Sequence, residues 1–222
     1  MLHISIRRKT LHQLFSDDSR QGSNKVNKAA TPQCARCENK ECRNGKDCFA
    51  QTPRHRPLYY DDIAKLHQAA SAIEAKHYCK ETRLGEIILF ARELGCQRIG
   101  LAFCIGLSEE ATIVDSVLSE TFEVVSVCCK VSGIDKKDFG LQRISQQNAE
   151  VMCNPAGQAQ LLNEAKTQLN VVCGLCVGHD AIFAKLSNAP VTTFIAKDRV
   201  LAHNPAGAVY CQYVRKHMNE GP

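Results

Sequence analysis

No stretch of this chain is apolar enough to cross a membrane as a helix. That needs roughly 18 mostly apolar residues, and the longest run, Ile99 to Leu107, already contains Gly100 and Gly106. The opening does not read as a secretion signal, because Arg7, Arg8 and Lys9 are not followed by a long apolar segment. Aromatic residues make up only 6% of the chain. They are not interleaved with the basic residues, and no recognition-helix pattern follows the clustered cysteines, so nucleic acid is a disfavoured partner. Carboxylates do not gather as an open hydrolytic zinc site would require. These absences leave a protein with no membrane contact, expected to be cytoplasmic.

Cysteine, by contrast, is abundant: 13 of 222 residues. Without an export signal, such thiols belong to a reducing compartment, where they bind metals or react instead of cross-linking, and the odd count resists full pairing. Four of them, Cys34, Cys37, Cys42 and Cys48, follow the pattern C-x2-C-x4-C-x5-C. The segment around them is rich in Asn, Lys, Gly and Arg and offers no apolar cover. A shared zinc ion or [4Fe–4S] cluster explains the arrangement better than two local disulfides or four free thiols. Structural zinc usually joins two knuckles across a longer loop, whereas clusters accept compressed cysteine runs, so the spacing leans slightly toward [4Fe–4S].

The formal net charge of +5 is unevenly placed: residues 1–56 carry 12 Lys/Arg against 5 Asp/Glu, and residues 57–222 carry 16 against 18. Residues 1–33 read as a basic, disordered extension. Asp17 and Asp18 argue against a transit peptide. Residues 34–57 form the four-cysteine module and its linker, which Pro53 and Pro57 mark. Residues 58–222, within a chain that is 44% hydrophobic, are enough for one ordinary domain.

In that domain a helix is predicted from Asp61, with Ile63, Leu66, Ala70, Ile73 and His77 on one face. A second runs from about Arg83 to Leu94, capped by Thr82 and stopped by Gly95. Strands and helices then alternate. Strands are expected at 98–104, 122–129, 170–176 and 191–196. Helices are expected from Ser108, from Asn154-Pro155 to about Gln168, from His179 to Leu186, and from Asn204-Pro205 to about His217. Continuous apolar strands separated by amphipathic helices imply a three-layer, Rossmann-like α/β domain with a mainly parallel sheet of about four strands. Right-handed crossovers place every strand's carboxyl end on one rim, where such folds bind ligands.

The chemistry-bearing residues gather on that rim. Cys104 closes the first strand, Cys128 and Cys129 the second, and Cys176 the third, with His179 and Asp180 just beyond. Cys153 precedes a helix start, Lys197 follows the fourth strand, and His203 comes next. The strings Cys-Asn-Pro-Ala-Gly at 153–157 and His-Asn-Pro-Ala-Gly at 203–207 repeat. In each, Asn (Asn154, Asn204) is the natural N-cap, and Gly (Gly157 in the first) leaves the start bare, as a thiolate or an anion would favour. Gly106 and Gly178 sit in the other strand-to-helix turns. Cys104, Cys129, Cys153, Cys176, His179, His203 and Lys197 are therefore the candidate catalytic residues. Gly106, Asn154, Gly157, Gly178, Asp180 and Asn204 are candidates for holding a cofactor or ligand. Each has a duller reading as core cysteine, helix cap or tight turn, and only one of Cys128 and Cys129 should point usefully. Cys173, in mid-strand, reads as core. Cys79, Cys96 and Cys211 lie off the rim.

From Cys34 onward the chain resembles an uncharacterised group of cysteine-rich prokaryotic proteins usually labelled only as metal-binding. The strings that carry this are CARCENKECRNGKDC, TRLGEIILFARELG, IGLAFCIGLSEEA, FEVVSVCCKVSGIDK, EVMCNPAGQA, GLCVGHDAIFAK and APVTTFIAKDRVLAHNPAGA. The resemblance implies a metal site, often supposed to be zinc, at Cys34, Cys37, Cys42 and Cys48. It supplies no reaction.

Two functions compete. One is a redox or group-transfer enzyme in which the rim cysteines bind a second metal or cluster or provide a thiolate, Lys197 holds a small anionic substrate, and a redox partner is possible. The other is a non-catalytic, zinc-stabilised sensor of a small molecule or soft metal.

Overall fold

The computed structural model of the chain describes residues 31–218, so the expected extension over 1–33 lies almost wholly outside the described residues. They divide into two units, one ending at Leu58 and one beginning at Tyr59.

None of the described residues up to Leu58 is buried. This unit is built from tight turns. Short 3-10 segments at Cys34–Arg36 and Glu41–Asn44 and a single helical turn, α1 (Thr52–His55), are its regular elements. The Asp47 carboxylate organises the way out of the cysteine run. It accepts the Gln51 amide at 3.0 Å, the Thr52 amide at 2.8 Å and the Thr52 hydroxyl at 2.7 Å. The Thr52 amide, first among these donors, pulls its pKa well below the usual carboxylate range.

The second unit opens with α2 (Asp61–His77) and α3 (Arg83–Glu93), which pack together. Thr82 caps α3 by accepting the Gly85 amide, as its sequence promised. α2 departs from the expected face. Ala69 and Ile73 are buried, but Ile63 is 51% exposed and Ala70 is exposed, so the buried face is narrower than the predicted one.

Four strands follow, β1 (Arg98–Phe103), β2 (Glu123–Cys128), β3 (Leu169–Cys173) and β4 (Val191–Ile195), alternating with α4 (Ser108–Ser119), α5 (Pro155–Glu164) and α6 (His179–Leu186). The sheet is wholly parallel, in the order β2-β1-β3-β4. The chain leaves β1 toward β2 and leaves β3 toward β4. Right-handed crossovers therefore place α4 on one face and α5 with α6 on the other, where they pack together. The result is a three-layer, Rossmann-like α/β fold. Its core includes Ile99, Leu101, Leu118, Leu162, Val171 and Phe183, all essentially without solvent exposure. Among the described residues no helix is long and apolar enough to cross a membrane.

Three boundaries differ from the sequence reading. α5 ends at Glu164, and Lys166 adopts a left-handed conformation. β3 ends at Cys173 because Gly174, at φ +69°, turns the chain out of the sheet. Cys176 thus lies in the following turn and not on the strand. The expected last helix is two, α7 (Ala206–Tyr210) and α8 (Gln212–His217), broken where Cys211 turns extended. Neither buries a residue, so no packing holds them on one axis.

Candidate functional site

The strand order creates a switch point between β1 and β3, whose outgoing chains diverge, and crevices open there at the carboxyl edge. Strand register brings three sulfurs to that edge. Phe103 pairs with Cys128 across β1 and β2. The next amide, that of Cys129, donates to the Phe103 carbonyl at 2.8 Å, while the Cys104 amide donates to Cys173 at 3.1 Å. Cys104 and Cys129 are therefore neighbours one step beyond the paired strands. The chain returns after residue 152, and the Asn154 amide donates to the Cys129 carbonyl at 2.8 Å, which delivers Cys153.

The three thiols form a hydrogen-bonded chain with Cys129 at its centre, touching Cys104 on one side and Cys153 on the other. Burial dominates the Cys129 thiol, pushing its pKa up to about 12 although the Ile105 amide points at its sulfur from 3.3 Å. Burial also raises the Cys104 thiol. There, however, the Gly106 amide, the Lys197 charge and the contact with Cys129 together outweigh it, and the net shift is downward. Two adjacent thiols are thus driven in opposite directions. Cys173, fully buried at the end of β3, is raised to about 11 by burial and belongs to the core.

Cys104, Cys153, Cys176 and His179 line one cavity of about 440 Å³ at this edge. Cys129 lies behind them, 2% exposed. The Arg199 guanidinium donates to the Cys176 sulfur at 2.9 Å. Burial, then the Lys130 charge, depresses the His179 pKa below the ordinary imidazole value. The remaining wall comes from residues 130–152, tied back by an antiparallel bridge between Asp135 and Val151 and by a Lys136–Glu150 ion pair at 2.7 Å.

Other expectations on the rim change. The α5 start is not bare: the Asn154 side chain accepts the Gly157 amide at 2.8 Å, and a Cβ on Gly157 would stand 2.4 Å from Asn154 Nδ2. Gly157 makes room for the cap and exposes no anion site. The second copy of the motif does not repeat this geometry. α7 starts at Ala206 without a side-chain cap, and the Gly207 amide goes to the main-chain carbonyl of Asn204. His203 is absent from the cavity wall. It sits at φ +62° in a turn where its Nδ1 accepts the Asp198 amide at 3.1 Å, so it is a turn-forming residue. Asp180 accepts the Gly178 and Ala181 amides at 2.9 and 2.8 Å, which makes it a local cap. Gly178 supplies that turn with φ +85°. Lys197 stands near Gly106, its Nζ 3.4 Å from where a Cβ would be.

In the first unit Cys34, Cys37, Cys42 and Cys48 all line a separate concavity of about 390 Å³, with Lys40, Lys46 and His55 among its other walls. All four are free and exposed. The Lys40 amide, first among several influences, lowers the Cys37 pKa. Cys42 and Cys48 aim their thiols at the carbonyls of Lys40 and Lys46, at 3.8 and 3.7 Å. Among the described residues no three His, Cys, Asp or Glu side chains already converge on one point as metal ligands would. Coordination here requires Cys42 and Cys48 to turn from those carbonyls. The donor set, four sulfurs around one hollow with a backbone amide on one of them, fits zinc or an iron–sulfur cluster.

Residues 45–194 match the family described as "Protein of unknown function (DUF1847)". The chain is also 50% identical over 190 residues to the "Uncharacterized protein MJ0455" of Methanocaldococcus jannaschii, covering 85% of this chain and 98% of that one. The chain belongs to this family. No solved structure matches it. The stretch matched by the DUF1847 family takes in the lining residues of the thiol-lined cavity except Arg199, and Cys48, but begins after Cys34, Cys37 and Cys42.

Sequence reasoning missed Arg199, Lys130, Lys136 and Glu150. The available signal was the dense Lys/Asp pattern of residues 130–138, which periodicity assigns only to a polar loop.

Proposed function

We propose that this chain is a metal-binding redox or group-transfer enzyme whose reactive group is the Cys104 thiolate. The supporting observation is the opposed tuning of adjacent thiols. Cys104 is held toward thiolate by the Gly106 amide and Lys197 at a cavity wall, while Cys129 is held as thiol behind it. Paired groups with divergent acidities divide nucleophile and proton-bearing roles between them.

Cys34, Cys37, Cys42 and Cys48 would hold zinc or a [4Fe–4S] cluster. Bound there, zinc supplies a structural cross-link and a cluster supplies one-electron transfer. The rest falls to the chain itself. The cavity carries Lys130, Lys136 and Arg199 against Glu150, which favours a small anionic substrate. Lys197 compensates charge at Cys104. His179, its pKa depressed, is neutral at pH 7 and able to accept a proton.

Anaerobic purification with metal and sulfide analysis, followed by alkylation of each thiol against pH, tests the reading. A bound metal and a Cys104 that reacts at lower pH than an ordinary thiol support it. A colourless protein with one zinc and an unreactive Cys104 would instead mark a zinc-stabilised sensor, and a protein with neither property refutes both.

A further inference from the structure

Cys129 has no evident purpose in a single-thiolate mechanism. It is 2% exposed, absent from the cavity wall, and yet in contact with two thiols that do reach the wall. We propose that Cys129 is the shared resolving thiol of a dithiol–disulfide couple, in which Cys104 or Cys153 takes up the substrate sulfur and Cys129 displaces it from behind. This rests on the thiol-enzyme reading above and adds a substrate class, a small disulfide bearing negative charge.

The backbone already has the required geometry. Phe103 and Cys128 are paired across parallel strands, and the rung continues through the Cys129 amide on the Phe103 carbonyl. Facing residues on adjacent strands lie roughly 4.7–4.9 Å apart, within the roughly 4.4–6.8 Å between Cα atoms that a disulfide spans. Cys153 reaches the same sulfur because Asn154 is bonded to the Cys129 carbonyl. Cys129 contacts both of the others, so either bond can form but not both at once.

The chemistry balances without a further oxidant. The Cys104 thiolate attacks one sulfur of RSSR, forming Cys104–S–SR and releasing RS⁻. The Cys129 thiol then loses its proton, attacks the Cys104 sulfur and displaces the second RS⁻, which takes that proton. The protein loses two electrons to the disulfide, which becomes two RSH once the first thiolate is protonated by solvent. A small dithiol, by the reverse exchange, restores the reduced protein. The cavity's excess of cations, Lys130, Lys136 and Arg199 against Glu150, selects an anionic R group.

The test uses the full chain, purified anaerobically, with oxidised glutathione as the anionic probe and cystamine as the cationic one. The parent should lose two hydrogens without keeping an adduct, and peptide mapping should show Cys129 joined to Cys104 or Cys153. Cys129→Ser should stall with one glutathione on Cys104 or Cys153. Oxidised glutathione should react about tenfold faster than cystamine at low salt, the lower end of electrostatic enhancement. A lasting glutathione adduct on the parent, or a disulfide map without Cys129, overturns the proposal even if Cys129→Ser fails to fold. Faster reaction with cystamine overturns the substrate class. A Cys104 that alkylates readily while no internal disulfide forms sinks this inference and leaves the thiolate reading standing.

Discussion

Replacing Gly157 with Ala gives a test of the site's scaffold in which the sign of the effect is the result. In an ordinary helix the change stabilises by about 0.5–1 kcal/mol, because Gly loses more backbone freedom on folding. Here the new Cβ would stand 2.4 Å from Nδ2, 2.8 Å from Cγ and 3.0 Å from Oδ1 of Asn154, the residue whose side chain caps the helix by accepting from Gly157. Displacing that side chain loses a cap worth about 1 kcal/mol. Because Asn154 is only 8% exposed, it also strands a polar group at a cost of about 1–3 kcal/mol. The parent should therefore lose about 1–3 kcal/mol in urea unfolding monitored by circular dichroism. With Asn154→Ala already present the clash is gone, and Gly157→Ala should stabilise by up to about 1 kcal/mol. Stabilisation in both backgrounds, or loss of equal size in both, would refute the account of why glycine stands there.

Other outcomes follow from the same geometry. The folded-state pKa of Cys104 is lowered, so its alkylation should persist to lower pH than that of a free thiol, and Lys197→Met should move the profile upward. Gln158→Leu should cost about 1–3 kcal/mol, since its Nε2 donates to the Phe103 and Val127 carbonyls at 3.1 and 2.7 Å, and although the Phe103 carbonyl keeps the Cys129 amide, the buried Val127 carbonyl loses its side-chain donor. Cys173 should resist alkylation in the native protein at pH 8 and react only on unfolding, since burial holds its pKa near 11. Cys42→Ser or Cys48→Ser should abolish most of the metal bound by the protein as purified, measured by elemental analysis.

The parallel sheet and its rim were legible because apolar runs separated by amphipathic helices have few other solutions, and Cys104, Cys153 and Cys176 follow from that topology. The rim was misread where identical strings behave differently. Asn154 caps α5 because the preceding chain is anchored on Cys129. Asn204 instead follows a turn through Ala202 and His203, both in left-handed conformations, and so enters α7 at another angle. Local sequence cannot distinguish these, because the difference lies in what precedes each motif in space. The segment 130–152 was opaque for a related reason. Its shape depends on the pairing of Asp135 with Val151 and of Lys136 with Glu150, contacts between residues far apart in a stretch without hydrophobic period.

The main-chain rung joining Phe103 to Cys129 also bears on how any redox change would be observed. Linking sulfurs mounted on fixed, adjacent rungs moves the backbone little, so oxidised and reduced forms should be nearly indistinguishable by secondary-structure spectroscopy or hydrodynamic size. The state of such a centre must be read by mass or thiol titration, and a preparation that looks uniform by shape can still hold a mixture of both.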